Sequence, residues 1–214
     1  MQRRFMQRST HARALTLVDA VRPDALSFQR DILLVLTFGT LMGALAQIAV
    51  PLPFTPVPVT GQTLGVLLIG ALLGRRRGGA AMLVHLAEGL AGLPVFAEGN
   101  TAWTLTRMGV PAIIGPTAGY LFAFPVAAFV VGWLAERGWD RRPLTAAGAM
   151  LLGQAVIYAG GLSWLSFYVG IASAVPLGML PFLSGDAIKL VLAATALPGG
   201  WQLLRALGVP SVRE

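Results

Sequence analysis

The 214-residue chain contains no cysteine. That absence excludes a disulfide framework, a thiolate nucleophile and a cysteine-ligated metal. Charge is scarce too: 12% of residues are charged, against about 25% in an ordinary soluble domain. Only two histidines occur, His11 and His85, and neither belongs to an H-E-x-x-H pair. There is no G-x-x-x-x-G-K-[ST] phosphate loop, so the chain lacks that machinery for ATP hydrolysis, and no G-x-S-x-G elbow. The expectation is a protein that is not an enzyme and carries no metal or cofactor.

What is abundant is apolar. Hydrophobic residues make up 56% of the chain, and its mean hydropathy is +0.72. A water-soluble chain of this length needs far more polar surface to cover one core. Segments 32–50, 112–135 and 144–167 carry no charge and approach the roughly 20 residues that cross a bilayer. Basic residues fall between such runs. Arg3, Arg4, Arg8, Arg13, Arg22 and Arg30 come first, then Arg75, Arg76 and Arg77, then Arg137, Arg141 and Arg142, then Arg205 and Arg213. Every basic residue except Arg107 and Lys189 lies in these alternate connections. Basic loops stay in the cytoplasm.

The fold class expected is therefore all-α: a polytopic membrane protein with six transmembrane helices and both termini cytoplasmic. The spans are placed at 32–50, 60–74, 78–92, 112–135, 144–167 and 180–203. Residues 1–30 read as a basic cytoplasmic arm, 31–205 as the six-helix transmembrane domain and 206–214 as a cytoplasmic tail. The net charge of +7 reads as topology and contact with anionic lipid, with no nucleic-acid partner.

Asp186 and Lys189 stand out inside the apolar run LPFLSGDAIKLVLAATAL at 180–197. Their spacing of three puts both on one helix face. A charge at a helix centre in lipid costs about 2.5–3.5 kcal/mol on the insertion scale. Buried pairs are often replaceable by apolar groups without loss of stability, so an intramembrane pair is first of all a candidate ligand site. The competing reading is an internal ion pair that sets helix packing. Gly39 and Gly43 form a G-x-x-x-G pattern, read mainly as packing within the bundle and, second, as a docking face for a partner. His85 and Glu88, three apart, more often satisfy each other or a loop than relay protons. Glu88 keeps a place among the candidate site residues.

Two connections on the side opposite the arginines add shape and polarity. VPLPFTPVPVTGQTL is a stiff crossing punctuated by four prolines between Pro51 and Pro58. GLPVFAEGNTAWTLTRMGVP brings Phe96, Asn100, Trp103 and Arg107 to the same mouth. Apolar walls with a few convergent polar groups describe a small-molecule pocket. Tyr120 and Trp164 are further aromatic wall candidates, in competition with anchoring at the bilayer interface.

Four segments in register, VPLPFTPVPVTGQTL, HLAEGLAGLPVFA, GPTAGYLFAFPVAAFVVGWLAE and PFLSGDAIK, resemble the biotin-transporter substrate-binding (S) components of the BioY family. The likeness runs from about Leu33 to Leu197. It implies a six-helix subunit of the cytoplasmic membrane that captures biotin from outside. Its partners would be biotin, the lipid bilayer, a transmembrane coupling protein and two ATPase subunits of an energy-coupling factor module. The G-D-x-x-K segment of the family matches Asp186 and Lys189. Asp186 would accept a ureido N–H, Lys189 would donate to the ligand, and Asn100 or Arg107 would anchor the carboxylate. Here Glu98 stands where the family commonly has glycine. The alternative is a stand-alone secondary carrier, coupled to protons through Glu88 or Asp186.

Overall fold

The structure is a computed structural model that describes residues 16–21 and 28–209. The expectations for Arg3, Arg4, Arg8, Arg13, Arg22, Arg213 and His11 lie outside these residues. All six expected spans are helical: α2 (Phe28–Gln47), α3 (Gln62–Leu73), α4 (Arg75–Leu90), α5 (Ala118–Ala135), α6 (Pro143–Val169) and α8 (Leu183–Ala206). Two short helices join them, α1 (Leu17–Val21) and α7 (Ile171–Gly178). A two-stranded antiparallel ladder, β1 (Ala49–Val50) with β2 (Val59–Thr60), ties the base of the proline loop.

Among the described residues, four helical stretches are long and apolar enough to cross a bilayer: Phe28–Gln47, Ala118–Ala135, Pro143–Val169, and α7 with α8 read together as Ile171–Ala206. α3 is apolar but has only 12 residues, about 18 Å of helix, and α4 opens with three arginines. The helices alternate in direction, so the bundle has an arginine end and a loop end. α5 is its axis, with 67% of its apolar window buried against 17% for α2. Leu67, Val131, Met150 and Ile157, contributed by α3, α5 and α6, belong to the closed core. Leu33, Leu36 and Leu41 of α2 and Ile188, Val191 and Leu192 of α8 point outward. Continuous exposed leucine and valine surface of this kind belongs in lipid, and the chain is a membrane protein.

The arginine run differs from its expected place in a loop. The turn between α3 and α4 is Gly74 alone, at φ +81°, a conformation that glycine adopts without a Cβ penalty. Arg75, Arg76 and Arg77 therefore form the first turn of α4, where positive charge opposes the helix dipole. Glu136 offsets this: its carboxylate accepts the Arg75 backbone N–H at 2.9 Å and lies 3.4 Å from Arg75 Nε.

Part of the expected arm is folded onto this end. Thr16 caps α1, its hydroxyl accepting the Asp19 N–H at 3.4 Å and donating to Asp19 Oδ2 at 2.9 Å. Arg77 Nη2 reaches Asp19 at 2.5 Å, Arg77 Nη1 reaches Asp31 at 3.2 Å, and Arg30 Nη1 lies 3.8 Å from Asp19. Burial alone would raise the Asp19 carboxyl. The bonds and charge of Arg77, with help from Thr16 and Arg30, hold it below its usual value.

The G-x-x-x-G pattern is spent internally. A Cβ at Gly39 would meet Val84 Cγ1 at 2.7 Å and the Ala81 carbonyl at 2.9 Å, both on α4. One at Gly43 would meet Val95 at 3.0 Å. Gly39 lets α2 and α4 touch and Gly43 admits Val95 of the segment after α4, so that face is already covered by this chain.

Candidate ligand-binding site

At the loop end the helices enclose a cavity of about 290 Å³, lined from the proline loop, the 96–108 segment and α3, α5, α6 and α8. That is close to the lower bound of about 300 Å³ for small-molecule sites. Its deep polar group is built on Asp186. α8 presents Asp186 and Lys189 on one face, with Lys189 Nζ 3.2 Å from Asp186 Oδ1. Lys189 also donates to the Thr60 carbonyl and the Thr63 hydroxyl, both at 2.8 Å. Asp186 Oδ1 accepts from Thr63 at 3.4 Å, and Oδ2 accepts from Gln154 Nε2 at 2.8 Å and from the Tyr158 hydroxyl. Protein donors thus occupy all four acceptor positions of the carboxylate.

Gln154 and Tyr158 are four apart on α6, hence on one face, and the sequence reading missed both. The signal was available: two hydrogen-bonding side chains at helical spacing inside a charge-free run. Thr60 and Thr63 were missed because they fall where the proline-shaped crossing runs into the expected 60–74 span, and neither reading gave their hydroxyls a role. Gln62, beside them, lines the cavity and lies 3.3 Å from the buried His85 ring, which packs edge-on to Phe96 at 5.5 Å.

Of the expected wall residues, Phe96 and Tyr120 line the cavity. Phe96 is 3% exposed, and the Gln47 amide donates to its carbonyl at 3.2 Å. Tyr120 donates to the Gly178 carbonyl at 2.8 Å, pinning α7 to α5. The proline loop is closed down similarly, by the Thr55 hydroxyl on the Leu177 carbonyl at 2.8 Å.

Three expected members lie elsewhere. Trp103 is 59% exposed and donates from Nε1 to the Leu90 carbonyl at 2.9 Å, outside the cavity. Trp164 donates to the Gly115 carbonyl at 2.9 Å and stacks edge-on against Phe122 and Phe167, also outside. Both indoles are held by backbone carbonyls near helix ends, the role of an amphipathic anchor. Glu88 is set between α4 and α2, accepting the Thr40 hydroxyl at 2.5 Å, and does not reach the cavity.

Asn100 and Arg107 do line the cavity, on the 96–108 segment, as does Glu98. Arg107 and Glu98 are exposed, whereas Asp186 has 11% of its side chain accessible, so the cavity has a closed polar head and an open charged mouth. Glu98 is the single non-glycine residue with positive φ among the described residues, at +61°. Left-handed backbone costs an ordinary residue about 1–2 kcal/mol.

A closed hydrogen-bonding head, an apolar waist and a charged mouth, set inside a lipid-facing helical bundle, define a membrane-embedded binder of a small amphiphilic solute. Residues 12–206 match the BioY family, and the chain belongs to that family. It is 36% identical over 189 residues to the biotin transporter BioY of Rhizobium etli, spanning 83% of this chain and 97% of that one. It is 40% identical over 146 residues to the biotin transporter BioY of Thermotoga maritima, spanning 68% and 81%. A solved structure, the S-component for biotin from an ECF-type ABC transporter, superposes with a TM-score of 0.65 at 29% identity, over 81% of this chain and 93% of that one.

Proposed function

We propose that this protein is the biotin-capture subunit of an energy-coupling factor transporter. The observation that carries the reading is the cavity's polarity in a chain of this family: a half-buried carboxylate–ammonium head and an open mouth bearing Arg107. Biotin has the matching order of groups, with a ureido ring, an apolar thiophane ring and a carboxylate tail.

The ureido ring sits at the head. The Thr63 contact to Asp186, at 3.4 Å, is the longest of the four and yields at least cost to a ureido N–H. A charge-assisted bond there contributes about 1.5–3 kcal/mol. Lys189 donates to the ureido oxygen, while Tyr158 and Gln154 keep the carboxylate aligned. Phe96 and Tyr120 wall the thiophane ring. At the mouth the planar guanidinium of Arg107 takes the valerate carboxylate, with Asn100 alongside.

The energy for uptake comes from separate subunits, a transmembrane coupling protein and two ATPases. Six spans in the cytoplasmic membrane, with both termini and Arg75 to Arg77 inside, follow from the arginine distribution. The short α3 and the arginine-headed α4 then cross where long side chains snorkel to the interface. Residues 1–30 remain the proposed cytoplasmic arm, 31–205 the transmembrane substrate-binding domain and 206–214 the tail.

Calorimetric titration of the purified protein with biotin tests the reading. Saturable binding at one site is expected, and no binding at millimolar biotin overturns it. Impermeant thiol labelling of intact cells tests the topology in this cysteine-free chain: Trp103→Cys should label and Arg76→Cys should not, and the reverse pattern inverts the protein.

A further inference from the structure

The mouth of the cavity carries both signs of charge. Glu98 and Arg107 lie on one outer segment, both line the cavity and both are exposed. Among the described residues neither has an ion-pair partner, so Arg107 is not neutralised by contact with Glu98, and Glu98 is not consumed by it. The segment holding them is braced. Gln47 donates to the carbonyls of Pro94 and Phe96, and the Phe96 N–H donates to the Asn100 carbonyl at 2.9 Å. The brace leaves Glu98 in left-handed backbone, where glycine is the easier residue, with an exposed side chain. An exposed acidic side chain kept at a strained position beside a binding cavity points to a role in what enters it.

A cation alone at the mouth would make the carboxylate the feature by which the ligand is selected. An acidic group on the same wall opposes that field, because a ligand at the mouth lies within a Debye length of both charges at low salt. The head of the cavity is closed, whereas Leu105 and Met108 beside Arg107 are 65% and 44% exposed. A ligand seated head-inward therefore directs its tail to solvent, with room for a longer tail.

We propose that the mouth is charge-balanced and admits amide-linked derivatives of biotin, including the lysine conjugate, as well as the free acid. The proposal rests on the biotin reading above and deepens it. The class of reaction that supplies such ligands is hydrolysis of biotin-bearing polypeptide, which releases the vitamin still amide-bonded to lysine.

The experiment is a titration of wild type, Glu98→Gln and Arg107→Gln, in detergent and at low salt, with three ligands: biotin, its neutral primary amide and biotinyl-lysine. In wild type the two amides should bind within about tenfold of biotin. In Glu98→Gln the preference for biotin over the amide should rise by roughly 3- to 10-fold, and added salt should erase most of that rise. Arg107→Gln should weaken biotin more than the amide. Amides more than about 100-fold weaker than biotin in wild type, or a preference unchanged by Glu98→Gln, overturn the proposal while leaving biotin capture standing. Glu98→Gly, which also relieves the backbone, should match Glu98→Gln in preference, and a preference that tracks the backbone change instead defeats it. Absence of biotin binding in wild type removes both readings together.

Discussion

Asp186 and Asp19 are both carboxylates held by a basic side chain, at 3.2 Å from Lys189 and 2.5 Å from Arg77, at opposite ends of one bundle. Their side chains are about equally covered, 11% and 10% exposed. The difference lies in what else is nearby. Around Asp186 the partners other than Lys189 are neutral, Thr63 from α3 and Gln154 and Tyr158 from α6, and the group faces a cavity. Around Asp19 a second cation, Arg30, joins Arg77 and the Thr16 hydroxyl, with a second carboxylate on Arg77, and the group bridges α1, α2 and α4. A carboxylate with neutral donors beside a void can exchange one donor for a ligand. One gripped by guanidinium groups between helices is a fastening. An ion pair in an apolar chain therefore does not identify a site until the company it keeps is known.

The largest effects come from exchanging the two tests. Breaking the fastening with Arg77→Met strands Asp19 and should cost about 3–5 kcal/mol of stability, with biotin affinity unchanged in the protein that remains folded. Asp186→Asn should act chiefly on the ligand. It keeps size and an acceptor oxygen but leaves Lys189 uncompensated, and should weaken biotin about 30- to 1000-fold while lowering melting without unfolding the bundle. The double change Asp186→Asn with Lys189→Met restores neutrality, so it should melt normally and still fail to bind. Melting and titration of all four proteins in one detergent read this directly. Near-normal affinity in the folded double variant would reduce the Asp186 pair to a second fastening.

That contrast also separates what could be read in the residues from what could not. Asp186 and Lys189 were visible because helical spacing alone puts them together. Asp19 and Arg77 are 58 positions apart, and nothing local joins them; the arm had read as a basic tail because its arginines outnumber its acids. The charge-free runs at 112–135 and 144–167 became α5 and α6 within a few residues at most boundaries, since lipid permits only helix or barrel there. The start of α5 was misplaced by six residues, because the Ala112–Ile114 turn is as apolar as the helix after it. α7 was missed for a related reason: Gly170, at φ +80°, breaks a stretch whose composition never changes. In the site, the charged pair and Phe96 were legible by type. Trp103 and Trp164 were assigned by type as well, and type could not say which face of the loop or of α6 they occupy.

A smaller effect should come from the stretch that joins the two ends. α2 carries Asp31 toward the arginines and Gln47 toward the cavity, and it touches α4 at Gly39. A methyl there meets Val84 Cγ1 at 2.7 Å and the Ala81 carbonyl at 2.9 Å, so Gly39→Ala must part the two helices. Overpacking of this kind costs about 1–3 kcal/mol. Because α4 bears Arg77 at one end and His85, under the cavity, toward the other, Gly39→Ala should lower melting and biotin affinity together. Impaired transport with melting and affinity intact would show instead that this face meets a partner, and that its contact with α4 is incidental.

The smallest effect sharpens the comparison by using a carboxylate at the arginine end that lacks a close cation. Asp140, in the turn between α5 and α6, is 1% exposed and accepts the Trp201 indole N–H at 2.6 Å on Oδ2. Arg141 lies over the Trp201 ring at 4.8 Å and not on the carboxylate, whose Oδ1 is buried without a partner. Burial pushes the Asp140 carboxyl up from 3.8 to about 6, with the Trp201 bond and the Arg141 charge recovering only part of the cost. The folded state thus binds this proton more tightly than the unfolded state does. Stability from this group is fully present below the unfolded value near 3.8 and is lost as pH rises through about 6. Asp19, held low by Arg77, has the opposite sign and loses its contribution only in acid. Asp140→Asn keeps an oxygen for Trp201 and removes the titration. It should therefore raise the melting temperature by a few degrees at about pH 8, an advantage that shrinks as pH falls below about 6 and is gone only near 3.8. Lower melting of the variant at pH 8 would mean that the charge of Asp140, like that of Asp19, is one the fold depends on.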